Sequence, residues 1–159
     1  MKSIDQWLTE YGESHRHHKN KAIHYICVPV IYLSLIGLLS AIPSYSLYKL
    51  LPASLNEFAH FGTLLLPFVM LYYLRLSVRL AIGMMVFSGV CLWVINLIGV
   101  SGITPWKGSA VLFILAWTGQ FIGHKIEGEK PSFFKDLSFL LIGPLWILAF
   151  LYRKWGLKY

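Results

Sequence analysis

No charged side chain interrupts the sequence between Arg79 and Lys107, and that single stretch restricts the fold more than any other feature. An apolar run of more than ~18 residues is long enough to cross the hydrocarbon core of a bilayer as a helix. It is not alone. Apolar runs also extend from Ile23 to Ala41, Phe58 to Leu74, Ser109 to Gly123 and Leu137 to Tyr152. Of the 159 residues, 57% are hydrophobic and 13% charged, against roughly 25% charged in soluble domains. The runs predict an all-α, polytopic membrane helical bundle with four or five spans, forming one integral membrane domain over residues 1–159. The last run is interrupted by Gly143-Pro144 and reads as a fifth span, a re-entrant pair or an interfacial segment, with the non-crossing version preferred. The first run follows polar residues and precedes no small-residue cleavage site, so it reads as a retained span rather than a signal peptide.

Residues 3–18 read as a surface helix. Ser3 followed by Gln6 fits a capping box, and Ile4, Trp7, Leu8 and Tyr11 recur at helical spacing. This predicts an N-terminal amphipathic helix able to lie on the membrane. Residues 124–136, with Pro131, read as a charged loop.

Lys and Arg concentrate in alternate connections. Lys2, Arg16, Lys19, Lys21, Arg75, Arg79, Lys125, Lys130 and Lys135 fall on one side, Lys49 and Lys107 on the other. The first side is then cytoplasmic, in a bacterial inner membrane or the endoplasmic reticulum depending on the host. A formal charge of +7 favours anionic lipid headgroups. Nucleic acid is excluded as a partner, because the basic residues flank apolar spans instead of forming a patch. Cys27 and Cys91 lie in apolar runs, form no CxxC pair, and read as buried thiols.

Five of the six histidines lie in two short polar stretches, both placed on the cytoplasmic side by the charge count. Tyr11, His15 and His18 stand at i, i+4 and i+7. Asn20 and His24 are four apart, and Gln120, His124 and Glu127 repeat the i, i+4, i+7 pattern. Such residues share a helix face. A polar stripe at the end of an apolar helix must meet water, a partner or a metal. Neutral imidazole suits iron, zinc and copper. The candidate metal ligands are His15, His24 and His124. Glu127 is either a further ligand or the carboxylate that orients a histidine, and Tyr11 and Asn20 are supporting candidates. His17 and His18 read as solvated or headgroup-facing, and His60 as an interface residue on the opposite side. No HExxH, GxSxG, GxGxxG or phosphate loop is present, and His15-Arg16-His17-His18 lacks the HxxHH spacing of membrane di-iron enzymes.

Taken together, Tyr11…Ser14-His15…Asn20…Ile23-His24…Cys27-Val28-Pro29 and Gln120-Phe121-Ile122-Gly123-His124-Lys125-Ile126-Glu127…Pro131 resemble a known family. It is the small integral membrane family once classed as domain of unknown function DUF962. Its characterised eukaryotic member is a 2-hydroxy fatty acid dioxygenase of phytosphingosine breakdown. The resemblance implies Fe(II)-dependent α-oxidation: a 2-hydroxy fatty acid and O₂ give a fatty acid one carbon shorter and CO₂. It also implies that histidines of both motifs hold the iron. Lys19, Lys21 and Lys125 are basic residues placed to draw the substrate carboxylate to the interface. A second reading, from a different class, is a non-catalytic membrane protein of transport or assembly with a structural metal or none.

Overall fold

A computed structural model describes residues 2–130 and 138–159 of the chain. Among the described residues the regular structure is helical throughout. It comprises α1 (Ile4–Glu13), α2 (His18–Leu39), α3 (Tyr45–Leu50), a 3-10 turn (Ala53–Phe58), α4 (Phe61–Leu76), α5 (Val78–Val100), α6 (Pro105–Glu127) and α7 (Phe139–Lys154). Residues 131–136 of the expected charged loop, Pro131 included, and Leu137 at the start of the last run lie outside the described residues.

The capping box at Ser3 and Gln6 is present. The helix that it starts ends at Glu13, however, and does not continue to residue 18. The cause is the His15 ring. In a continued helix the Tyr11 carbonyl would accept from the His15 backbone N–H. Here His15 Nδ1 takes that carbonyl at 2.6 Å, and the His15 N–H turns to Gly12 O at 3.0 Å. The apolar face of α1 does not lie open to a membrane either. Trp7 meets Phe139 edge-on at 5.4 Å, and Tyr11 packs on Phe139 and Trp146 at 5.8 and 5.5 Å. Helix α7 therefore covers that face.

Helices α2 and α6 form the central pair and run antiparallel. His24 meets His124 at one end, and Gly37 meets Ser109 at the other. Small residues set their separation. A Cβ on Gly119 would stand 2.6 Å from Cys27 Sγ, and one on Gly123 would collide with Asn20 Oδ1. Gly119 and Gly123 form a G-x-x-x-G pair, which lets helix backbones approach closely. Helix α5 joins on the other side, where the Tyr32 hydroxyl and Ser88 Oγ are 2.8 Å apart. Helix α4 turns into α5 at Ser77, whose side chain caps α5 through Leu80 N.

Pro29, Pro67 and Pro144 all lie inside continuous helices. Gly143-Pro144 does not break α7, because both residues are buried against neighbours; a Cβ on Gly143 would come within 2.9 Å of the Tyr11 hydroxyl. The C-terminal end of α7 returns to the start of α5, where the Tyr152 hydroxyl donates to Arg79 O and Arg79 donates to Lys158 O. Among the described residues, two helices are long and apolar enough to cross a bilayer, His18–Leu39 and Val78–Val100, while Phe61–Leu76 is apolar but shorter. Helix α6 matches them in length, extends to Glu127 where a loop was expected from residue 124, and stops at Gly128 in the left-handed conformation.

The glycine contacts give a direct test. Gly119→Ala forces α2 and α6 apart and should cost ~1–3 kcal/mol, as overpacking does. Gly89→Ala, with nothing within 4 Å of its would-be Cβ, should be neutral or stabilising by ~0.5–1 kcal/mol through helix propensity. Thermal melts in detergent should separate the two variants in opposite directions.

Candidate metal centre

His15 sits in the connector between α1 and α2, His24 on the second turn of α2, and His124 on the last turn of α6. Their ring centroids are 4.2, 4.8 and 5.0 Å apart. One nitrogen of each lies within 4.8 Å of the others, and all three rings are buried. His24 and His124 are a hundred residues apart in sequence, yet their Nε2 atoms stand 3.2 Å apart.

The hydrogen bonds fix two of the tautomers. His15 Nδ1 is 2.6 Å from Tyr11 O, and His24 Nδ1 is 3.0 Å from Asn20 O. A carbonyl only accepts, so both Nδ1 atoms carry the proton and both Nε2 atoms keep a lone pair. His15 Nε2 and His124 Nδ1 are buried and have no hydrogen-bond partner among the described residues. A buried polar atom left unpaired costs ~1–3 kcal/mol. Imidazole lone pairs converging in a space closed to water are satisfied by a proton or a metal ion. The donor set fits a metal ion: two imidazole–metal bonds of ~2.0–2.1 Å span at most about 4.2 Å, close to the 4.8 Å within which the three nitrogens lie.

The surroundings hold the rings in place. The Tyr11 ring stacks on His15 at 4.3 Å with planes 10° apart, and Ser14 Oγ is 3.3 Å from His15 Nδ1. Trp146 of α7 leans on the same ring at 5.5 Å. Among the described residues no hydrogen bond joins Glu127 to an imidazole. Its Oε1 accepts from Arg16 N at 2.8 Å, and its Oε2 accepts from His17 N and from Asn20 Nδ2, each at 2.9 Å. The carboxylate so placed ties the connector just before α2, where its charge also meets the positive end of the helix dipole. Asn20 Nδ2 further donates to Ser14 O at 3.2 Å, while its Oδ1 faces Gly123. Glu127 thus orients the backbone that carries His15, and Asn20 links that backbone to α2.

The remaining histidines lie apart. His17 and His18 are exposed, and His17 caps α2. His60 is buried at the end of the bundle away from the other histidines, and caps α4 by accepting from Thr63 N. Two contributors escaped the sequence reading. Gly119 and Gly123 carry a visible signal in their four-residue spacing. Trp146 carries none, being one aromatic residue in an apolar run.

Burial sets the charges outside the spanning helices. It is the main reason His15 is lowered from 6.5 to about 4; the hydrogen bond to Tyr11 O and the Glu127 charge oppose it, and His124 and Lys21 add to it. Burial holds the Tyr11 phenol well above its usual range, so it stays protonated.

Fold and site define an all-helical protein with a buried three-imidazole pocket suited to one metal ion. The chain belongs to the 2-hydroxy-palmitic acid dioxygenase Mpo1-like family, whose model matches residues 1–155, as the two motifs implied. No curated protein and no solved structure matches it.

Two outcomes follow. Unfolded His15 takes a proton near its ordinary 6.5, the folded residue only near 4. The folded state therefore binds fewer protons between these values, and its stability falls as pH drops from about 6.5 to about 4. Urea midpoints of the metal-free protein should track this, with a shallower slope in His15→Asn. Glu127→Ala should weaken metal binding about 10–100-fold, the usual cost of losing a group that orients ligands, as read by competition with a chelator.

Proposed function

We propose that the protein is a membrane-embedded, non-haem Fe(II) dioxygenase that shortens 2-hydroxy fatty acids by one carbon. The observation that carries this reading is the convergence of His15, His24 and His124 in a member of a dioxygenase family. The overall conversion balances: R–CHOH–COOH and O₂ give R–COOH, CO₂ and H₂O. Bound to the three imidazoles, iron would supply Lewis acidity and a place to bring the hydroxy acid and O₂ together.

The chain's own residues perform the rest. Tyr11 O and Asn20 O hold His15 and His24 in the tautomer whose Nε2 faces inward. Tyr11 and Trp146 wall the pocket against water. Glu127 and Asn20 fix the connector, so that His15 is presented at a set angle. Tyr11, Asn20 and Glu127 therefore act as positioning residues.

The same reading puts four helices, α2, α4, α5 and α6, across the bilayer, with α7 packed on the half that carries the histidines. Exposed Met85, Trp93, Val111 and Ile114 support lipid contact on α5 and α6. The clustering of Arg16, Lys19, Lys21, Arg75, Arg79 and Lys125 at the histidine end supports a cytoplasmic site. Membrane lipids surround it, and the acyl tail of the substrate stays among apolar helices.

The test is metal analysis with turnover. Protein loaded anaerobically with Fe(II) should hold near-stoichiometric iron and release CO₂ from a carboxyl-labelled 2-hydroxy fatty acid. His15→Ala, His24→Ala and His124→Ala should each lose both properties. His60→Ala should lose only the ~0.5–2 kcal/mol of a helix cap. A His124→Ala protein with full iron content and activity would overturn the reading. Iron retention without turnover would favour a structural metal.

A further inference from the structure

A cavity of about 390 Å³ lies at the end of the bundle away from the three clustered histidines. Helix ends meet around it: Ser40 after α2, His60 before α4, Gly99 near the end of α5 and Thr104 before α6 all line it. Ligand cavities begin at about 300 Å³, so the space suits a small molecule or a headgroup. Backbone pairing fixes one wall. Pro43 and His60 form an antiparallel bridge, with Ser44 N donating to Ala59 O and Phe61 N to Ile42 O, each at 2.8 Å.

The lining is graded from inside to outside. Ile95 and His60 are buried, whereas Tyr48, Glu57 and Trp106 are exposed. His60 brings no positive charge. Its Nδ1 accepts from Thr63 N at 3.3 Å, so the proton sits on Nε2, and burial lowers its pKa from the ordinary value. Glu57 is the one charged side chain among the described residues that line the cavity. A carboxylate beside an indole and a phenol favours a cation, because the ring faces carry partial negative charge. Lys107 Nζ stands 5.7 Å from the Trp106 ring centroid without lining the cavity. Negative charge inside and positive charge just outside suit a molecule that carries both signs.

The candidate spans end at Leu39 and Val100, and the cavity lies at that level. In a bilayer this is the depth of the headgroups, where Trp and Tyr are enriched. We propose that the cavity binds the ammonium of a zwitterionic phospholipid headgroup, with the lipid phosphate turned toward Lys107. The proposal rests on the membrane-spanning reading above and is independent of the dioxygenase chemistry. Phosphatidylglycerol carries the same phosphate but ends in a diol, which brings no charge to Glu57.

The test compares two lipids that differ only in that end group. The intact protein in detergent is titrated with dihexanoyl phosphatidylethanolamine and with dihexanoyl phosphatidylglycerol, and the bound fraction is read by native mass spectrometry. Wild type should hold the ethanolamine lipid about tenfold better, the scale of a partly desolvated ammonium contact. Glu57→Gln should erase that preference and leave thermal stability and iron content unchanged. Trp106→Leu should weaken the ethanolamine lipid, and Trp106→Phe should keep part of the gain. Glu10→Gln, at the histidine end, should change nothing. Equal retention of the two lipids by wild type overturns the proposal. So does a preference that survives Glu57→Gln, or a loss in Glu57→Gln that is equal for both lipids and marks a structural role. Ethanolamine that displaces the lipid at the lipid's own concentration assigns the cavity to a free amine and overturns the lipid assignment. Release of the protein from membranes by alkaline carbonate refutes the spanning reading, whereas loss of the lipid preference alone leaves that reading standing.

Discussion

The close approach of α2 and α6 is the constraint on which the site depends. Imidazole side chains are short, so His24 and His124 can face one another at 3.2 Å only if their backbones are brought near. Gly119 and Gly123 allow that, because any side chain there would strike Cys27 or Asn20. The same glycine that admits Asn20 stands next to His124 in sequence. Packing and chemistry are set by one stripe of α6.

Around this pair, the polar groups are arranged to keep the imidazoles neutral and aimed. Backbone carbonyls of Tyr11 and Asn20 take the outer nitrogens, which removes freedom of tautomer and rotation at little cost in charge. The Glu127 carboxylate accepts from backbone N–H groups of the connector and from Asn20 Nδ2. The candidate ligands themselves are three neutral imidazoles, with the nearest described carboxylate engaged by the connector.

Much of this was legible in the sequence, for identifiable reasons. Apolar runs showed the helices, because burial or lipid contact demands uncharged stretches of helical length. The i, i+4 spacings of Asn20 with His24 and of Gln120 with His124 survived, since both pairs lie inside uninterrupted helices. Tyr11 and His15 also met, though not by helical phase: the His15 ring ends α1 by capturing the carbonyl that would have continued it. A side-chain capture of this kind, like the role of Glu127 across the bundle, has no periodic trace. Gly143-Pro144 misled in the opposite direction, because a breaker read locally is tolerated where tertiary packing encloses it. The amphipathic face of α1 was visible, but not its partner, since α7 and a lipid surface offer the same apolar complement.

Arg16 and Glu127 are 111 positions apart and share a hydrogen bond. The connector bearing His15 is thus held by a residue synthesised long after it. A ribosome that has released only α1 to α5 has made two of the three imidazoles and none of the clamp. The nascent chain offers a metal no competent cage until the end of α6 emerges. The three imidazoles are thus brought together only once the end of α6 is made, and a chain truncated before residue 124 lacks the third.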